Sequence, residues 1–176
     1  LLQVLSIVLL SRLLSPDEFG VVAIGLAIAG VAAVLGDFGL SLAALQAPEL
    51  SRGQKNNLFW INTSIGAVGT AAVALAAAPV AEAFSDPRLQ VVLLLTAPSF
   101  LLRAASVQFR VELNRSGALT KLAIVEFAGD LLAFVTTVVL AVLGTGFISL
   151  SVQNSVAALV TLILAFVLTP WRPGPP

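Results

Sequence analysis

Four ionisable side chains interrupt otherwise apolar stretches of this chain: Asp37, Arg103, Glu126 and Asp130. Near the centre of a membrane helix each costs about 2.5–3.5 kcal/mol. Such groups face a bundle interior or a wet cavity and are paired. An arginine facing a cavity can hold a phosphate or pyrophosphate through two parallel N–H donors. Carboxylates beside it can neutralise that charge, relay a proton or couple an ion. Glu126 and Asp130 lie one helical turn apart on one face. A hairpin turning near Asn114 and Arg115 puts Arg103 and Glu126 at matching depth. The expected pair is therefore Arg103 with Glu126, with Asp130 as a second partner. The plainer alternative is a salt bridge that only fixes two helices. Asp37 lies in Gly36-Asp37-Phe38-Gly39-Leu40-Ser41, where the glycines suit a close backbone approach or a helix break. Broken helices line transport sites; a kink with a locally capped carboxylate is the alternative.

Other chemistry is excluded by what the chain lacks. It has no cysteine and no histidine. Thiolate chemistry and disulfides are therefore absent, and a metal site would need carboxylates alone, with none clustered at a suitable spacing. There is no nucleophile–base pair and no glycine loop to cradle a phosphate, so neither catalysis nor a cofactor is expected. Nine basic residues balance nine acidic ones, and no basic stripe with interleaved aromatics is present, which argues against nucleic acid.

The elements that must position these groups are membrane helices. Residues 56–81 and 131–171 contain no charge at all. A hydrocarbon core of about 30 Å needs roughly 20 helical residues, so the second run can cross twice. The chain is 59% hydrophobic and 10% charged, with a mean hydropathy of +1.05. A soluble body of this composition would expose too much apolar surface. The expected fold is all-α: a polytopic bundle of six transmembrane helices. They are placed at about 1–14, 20–47, 58–84, 89–109, 122–143 and 147–168. Strands are not expected, because the apolar runs are long and do not alternate.

Punctuation supports these limits. Ser15-Pro16-Asp17-Glu18-Phe19-Gly20 reads as a turn. Asp86 suits an N-cap, with Pro87 at the first helical position. Pro98 should kink the fourth helix. Gly144-Thr145-Gly146 is a tight turn. Arg52, Lys55, Arg110, Arg115, Lys121 and Arg172 fall in the links after helices two, four and six. The other links hold Asp17, Glu18, Glu82 and Asp86, with Arg12 and Arg88 as exceptions. Basic residues favour the cytoplasm, so both ends of the chain are expected there. Trp60 and Trp171 suit interface anchors. Gln153 and Asn154 suit interhelical hydrogen bonds, and the pairs Gly25/Ala29 and Gly66/Thr70 suit close packing. Leu1 opens mid-helix and Trp171-Arg172-Pro173-Gly174-Pro175-Pro176 reads as the beginning of a loop, so a fragment of a longer chain is expected.

Several strings resemble polysaccharide exporters of the multidrug/oligosaccharidyl-lipid/polysaccharide exporter superfamily. Leu9-Leu10-Ser11-Arg12-Leu13-Leu14-Ser15-Pro16-Asp17-Glu18-Phe19-Gly20 is similar to their first helix end and turn. Asp37-Phe38-Gly39-Leu40-Ser41 with Gln46 resembles their second helix, and Phe59-Trp60-Ile61-Asn62 the start of their third. Pro170-Trp171-Arg172-Pro173 resembles the link leaving the sixth. Gly36 stands where members often carry a charge. The resemblance implies the N-terminal lobe of a two-lobed transporter in the plasma membrane. It implies alternating-access flipping of a polyprenyl-pyrophosphate-linked oligosaccharide, and a C-terminal lobe as partner. Arg103 is then the expected pyrophosphate ligand, with Asp37, Glu126 and Asp130 as cavity or coupling groups. Two other readings stay open: a drug or cation antiporter, suggested by the excess of acids over bases among these four, and a membrane glycosyl- or acyltransferase.

Overall fold

A computed structural model describes residues 15–36 and 51–175 of the chain. The expected first helix, at 1–14, and Asp37 lie outside the described residues. Among the described residues the fold is all-helical, without a strand. The helices are α1 (Pro16–Gly36), α2 (Arg52–Ala83), α3 (Pro87–Thr96), α4 (Pro98–Arg115), α5 (Leu119–Val142) and α6 (Phe147–Leu168). The segments α3 and α4 form one rod broken at Ala97, so the described residues hold five rods, against six helices expected of the whole chain. Among the described residues four spans are long and apolar enough to cross a membrane: Arg52–Ala83, Pro87–Arg115, Leu119–Val142 and Phe147–Leu168. The chain is a multi-pass membrane protein. Large apolar side chains such as Val68, Leu75, Val142 and Val167 accordingly stay on the outside of the bundle, where acyl chains rather than water meet them.

Three expected turns are helical instead. Pro16 opens α1 at its first position, and Ser15 shares a reciprocal pair of hydrogen bonds with Glu18 (2.9 and 3.3 Å). Asp17 and Glu18 thus occupy a first turn, where the helix dipole favours acids. Ser51 caps α2 with Gln54 in the same way (2.9 and 3.2 Å), so Arg52 and Lys55 are helical. At the same end of the bundle α4 runs on to Arg115, which makes Arg110, Glu112 and Arg115 helical residues and not link residues. The hairpin to α5 turns at Ser116–Ala118, with Gly117 at a φ of 70°. The α6 limits match the expectation, as do Asp86 as N-cap and Pro87 at the first position of α3.

The rods assemble side by side. The helix α6 lies between α5 and α4, and α2 packs on the far side of α4, while α1 rests on α3. The helices α4 and α5 themselves touch little. Small residues permit the tight crossings: a Cβ on Gly66 would overlap Ala104 and approach the Phe100 carbonyl oxygen to 2.9 Å. A Cβ on Gly129 would likewise fall 2.5 Å from Thr161 Oγ1.

Each end of the bundle is tied by polar contacts. At one end Arg88 bridges Asp86 (2.7 Å) and Asp17 (2.6 Å), joining α3 to α1. There Glu18 also accepts the backbone N–H of Phe147 at the start of α6. At the opposite end Lys55 of α2 meets Glu112 of α4 at 2.7 Å. Beside it Phe59, Phe109 and Trp171 form an aromatic knot with ring centroids 5.5–6.1 Å apart. The segment after α6 folds back over that knot. The Trp60 indole N–H donates to Gly174 O (2.9 Å), and Arg172 stacks over the Phe166 ring at 4.2 Å.

Candidate functional site: a polar groove floored by α6

Because α6 separates α4 from α5, a groove opens between those two helices with α6 as its floor. Its walls carry the charges. Arg103 and Arg110 project from α4 at a seven-residue spacing, which is nearly two full turns and one face. Glu126 and Asp130 project from α5, and Gln153, Asn154, Ala157 and Thr161 line the floor. Two contiguous cavities of about 150 and 250 Å³ fill the groove, and Arg103 and Asp130 line both. A third, of about 220 Å³, continues from Arg103 and Asn154 toward Leu26, Ala29 and Gly30 of α1.

The pairing differs from the expected one. Arg110, not Arg103, pairs with Glu126, Nη2 to Oε1 at 2.5 Å. The cause is geometric. The hairpin pivots at Gly117 and not near Asn114 and Arg115, and each residue of pivot displacement moves the level partner of Glu126 by two. That shift carries it from Arg103 to the neighbourhood of Arg110. Arg103 instead crosses to α6, where its Nη2 donates to the Asn154 side-chain oxygen at 3.1 Å. Its partner is thus a neutral amide. Asp130 shares the cavity walls with Arg103 and forms no ion pair among the described residues.

Three of the four expected residues, Arg103, Glu126 and Asp130, therefore line one groove, while Asp37 lies outside the described residues. One further group joins them: Arg110, which the sequence places in a link because a charge at the end of an apolar run reads as the end of a helix. Asn154 makes the interhelical hydrogen bond expected of it, with Arg103 as the donor. With Arg110 counted, the described groove holds two arginines against two carboxylates, so the excess of acids disappears there.

Arg103 stands just below the break between α3 and α4. Pro98 has no N–H to offer the carbonyl of Leu94. Around it the hydroxyls of two neighbouring helices enter the backbone. Thr70 of α2 donates to Ala97 O at 3.0 Å and accepts the Leu101 N–H at 3.2 Å. Ser155 of α6 donates to Leu95 O at 2.6 Å. These hydroxyls give backbone groups around the break hydrogen-bond partners inside a bilayer.

A family profile described as polysaccharide biosynthesis protein matches residues 9–176. The chain belongs to this family. Similar proteins include the lipopolysaccharide biosynthesis protein WzxC of Escherichia coli (strain K12), 26% identical over 78% of this chain and 28% of the relative. The succinoglycan biosynthesis transport protein ExoT of Rhizobium meliloti (strain 1021) is 28% identical over 98% of this chain and 35% of the relative. An uncharacterized membrane protein in the cps region of Klebsiella pneumoniae is 27% identical over 79% of this chain and 29% of the relative. The chain thus spans about a third of the length of these family members. No solved structure matches it.

Proposed function

We propose that this chain is the N-terminal lobe of a two-lobed exporter that flips a polyprenyl-pyrophosphate-linked oligosaccharide across the plasma membrane by alternating access. Family membership and the printed name of ExoT, a succinoglycan transport protein, support export of a glycan. Covering about a third of its relatives' length fits a lobe that works with a second one. The end that carries Arg52, Lys55, Arg115, Lys121 and Arg172 is the cytoplasmic one, by the preference of basic residues for that side. The opposite end holds Asp17, Glu18, Glu82 and Asp86. Arg88, the basic residue there among the described residues, is flanked by two carboxylates.

The observation that carries the reading is Arg103 on Asn154. A guanidinium held by a neutral amide keeps its full charge, whereas Arg110 is already matched by Glu126. Arg103 can then grip a pyrophosphate with two donors when one enters the groove. The protein works as a transporter and not as an enzyme. The antiporter reading rested on an excess of intramembrane acids, and Arg110 removes that excess from the described groove.

The test is transport of a fluorescent polyprenyl-pyrophosphate saccharide by the full-length protein in proteoliposomes. Flipping that is lost on Arg103→Ala and weak in Arg103→Lys is the expected result, since a lysine cannot bind in a bidentate manner. Transport of a lipophilic cation in place of the glycan would overturn the proposal.

A further inference from the structure

We propose that Thr70 and Ser155 are positioning residues that set the angle between α3 and α4, and with it the place of Arg103 in the groove. The proposal rests on the transport reading above for its consequence, though not for its geometry. The helix ladder would ordinarily join the Leu101 N–H to the Ala97 carbonyl. Here the Thr70 hydroxyl stands between them, donating to one (3.0 Å) and accepting from the other (3.2 Å). A side chain inserted into the ladder is a recognised cause of a sharp bend. Withdrawing it lets Ala97 O and Leu101 N–H close on each other, so the segment has two satisfied arrangements: bent with the hydroxyl in, straighter with it out. Two discrete arrangements of one rod are what a two-state transition needs.

The surroundings fix which part moves. The amino-terminal half, α3, is tied to α1 through Arg88 and Asp17. Leu89, Val92 and Leu93 are buried in the apolar core of the bundle. The half beyond the break carries Arg103 and Arg110. Ser155, on the opposite side of the rod, holds Leu95 O at 2.6 Å and braces the bend from α6. The cavity that reaches α1 is lined at this level by Thr96, Ser99, Phe100 and Arg103, so a change of bend alters the lumen next to Arg103. Thr70 acts on Arg103 only through the backbone; it does not line that cavity.

The test uses the full-length protein in lipid nanodiscs with spin labels at Gln90 and Asn114, both exposed and on either side of the break. Their separation reads the bend directly. Thr70→Val, equal in shape and without the hydroxyl, should lengthen the distance, and Thr70→Ser should restore the wild-type distribution. Ser155→Ala should broaden it. Glycan flipping should fall about tenfold in Thr70→Val and recover in Thr70→Ser, with the apparent KM less affected than the maximal rate. A Thr70→Val distribution superimposable on the wild type overturns the proposal, whatever the transport result. A lengthened distance with no glycan flipping even in the wild type supports the hinge and rejects the substrate.

Discussion

Arg110 and Glu126 pair at 2.5 Å across the groove mouth, nearly two helix turns along α4 from Arg103, the partner that simple hairpin counting suggests. The pair joins α4 to α5, two helices that otherwise scarcely meet, and it leaves Arg103 to a neutral partner. The charge pattern of the groove follows from this one contact.

A charge swap should therefore work at one position and not at the other. Arg110→Glu and Glu126→Arg should each lower glycan transport, and the double variant should recover most of it. Arg103→Glu with Glu126→Arg should show no recovery. Both side chains of the native pair are nearly half exposed, at 42% and 49%, so the change in thermal stability stays within about 1 kcal/mol. Rescue of the Arg103 swap by Glu126→Arg would contradict the geometry.

Asn154→Asp places a carboxylate where Arg103 now meets an amide, with almost no change of shape. Matching that guanidinium internally should cost about tenfold or more in flipping rate, while the amount of folded protein stays constant. Asn154→Gln should be milder. Wild-type flipping in Asn154→Asp would mean that the charge on Arg103 is not what the substrate reads.

Gly66→Ala should be destabilising by about 1–3 kcal/mol, because the added methyl overlaps Ala104 and meets the backbone of α4. Gly20→Ala, in α1 with nothing within 4 Å, should be neutral or mildly stabilising through helix propensity. Thermal unfolding of the two purified variants in one detergent distinguishes them; equal midpoints would exclude tight packing of α2 on α4.

The Arg88 cluster should make the bundle acid-sensitive. Hydrogen bonding to Arg88 holds the Asp86 carboxyl below its ordinary 3.8. A carboxylate lowered in the folded state stabilises fully above its unfolded value and loses that effect as the pH falls through the folded one. The unfolding temperature should therefore be flat above about pH 5 and drop below about pH 4. Asp86→Asn keeps the capping oxygen and should make that drop shallower. An unchanged acid slope in Asp86→Asn would rule out the cluster as its source.

The sequence carried much of this. Uncharged runs located the helices, Pro98 marked the break, and Asp86 with Pro87 marked a helix start. What stayed hidden has two physical causes. Hydropathy marks where a helix leaves hydrocarbon, not where it ends. Arg110, Glu112 and Arg115 are good helix formers and continue α4 beyond the apolar run, with Lys55 and Glu126 as partners. The second cause is direction around the axis. Depth can be counted along a hairpin, but which neighbour a side chain faces depends on packing. Only the placement of α6 between α4 and α5 turns Arg103 toward Asn154.

The bend at Ala97 also bears on biogenesis. Its two hydroxyl braces come from helices made at different times, Thr70 before the break is synthesised and Ser155 well after it. Until α6 enters the bilayer, the Leu95 carbonyl lacks the Ser155 brace. The bend therefore stays incompletely locked while α5 is made, and its angle is set from the carboxyl-terminal side.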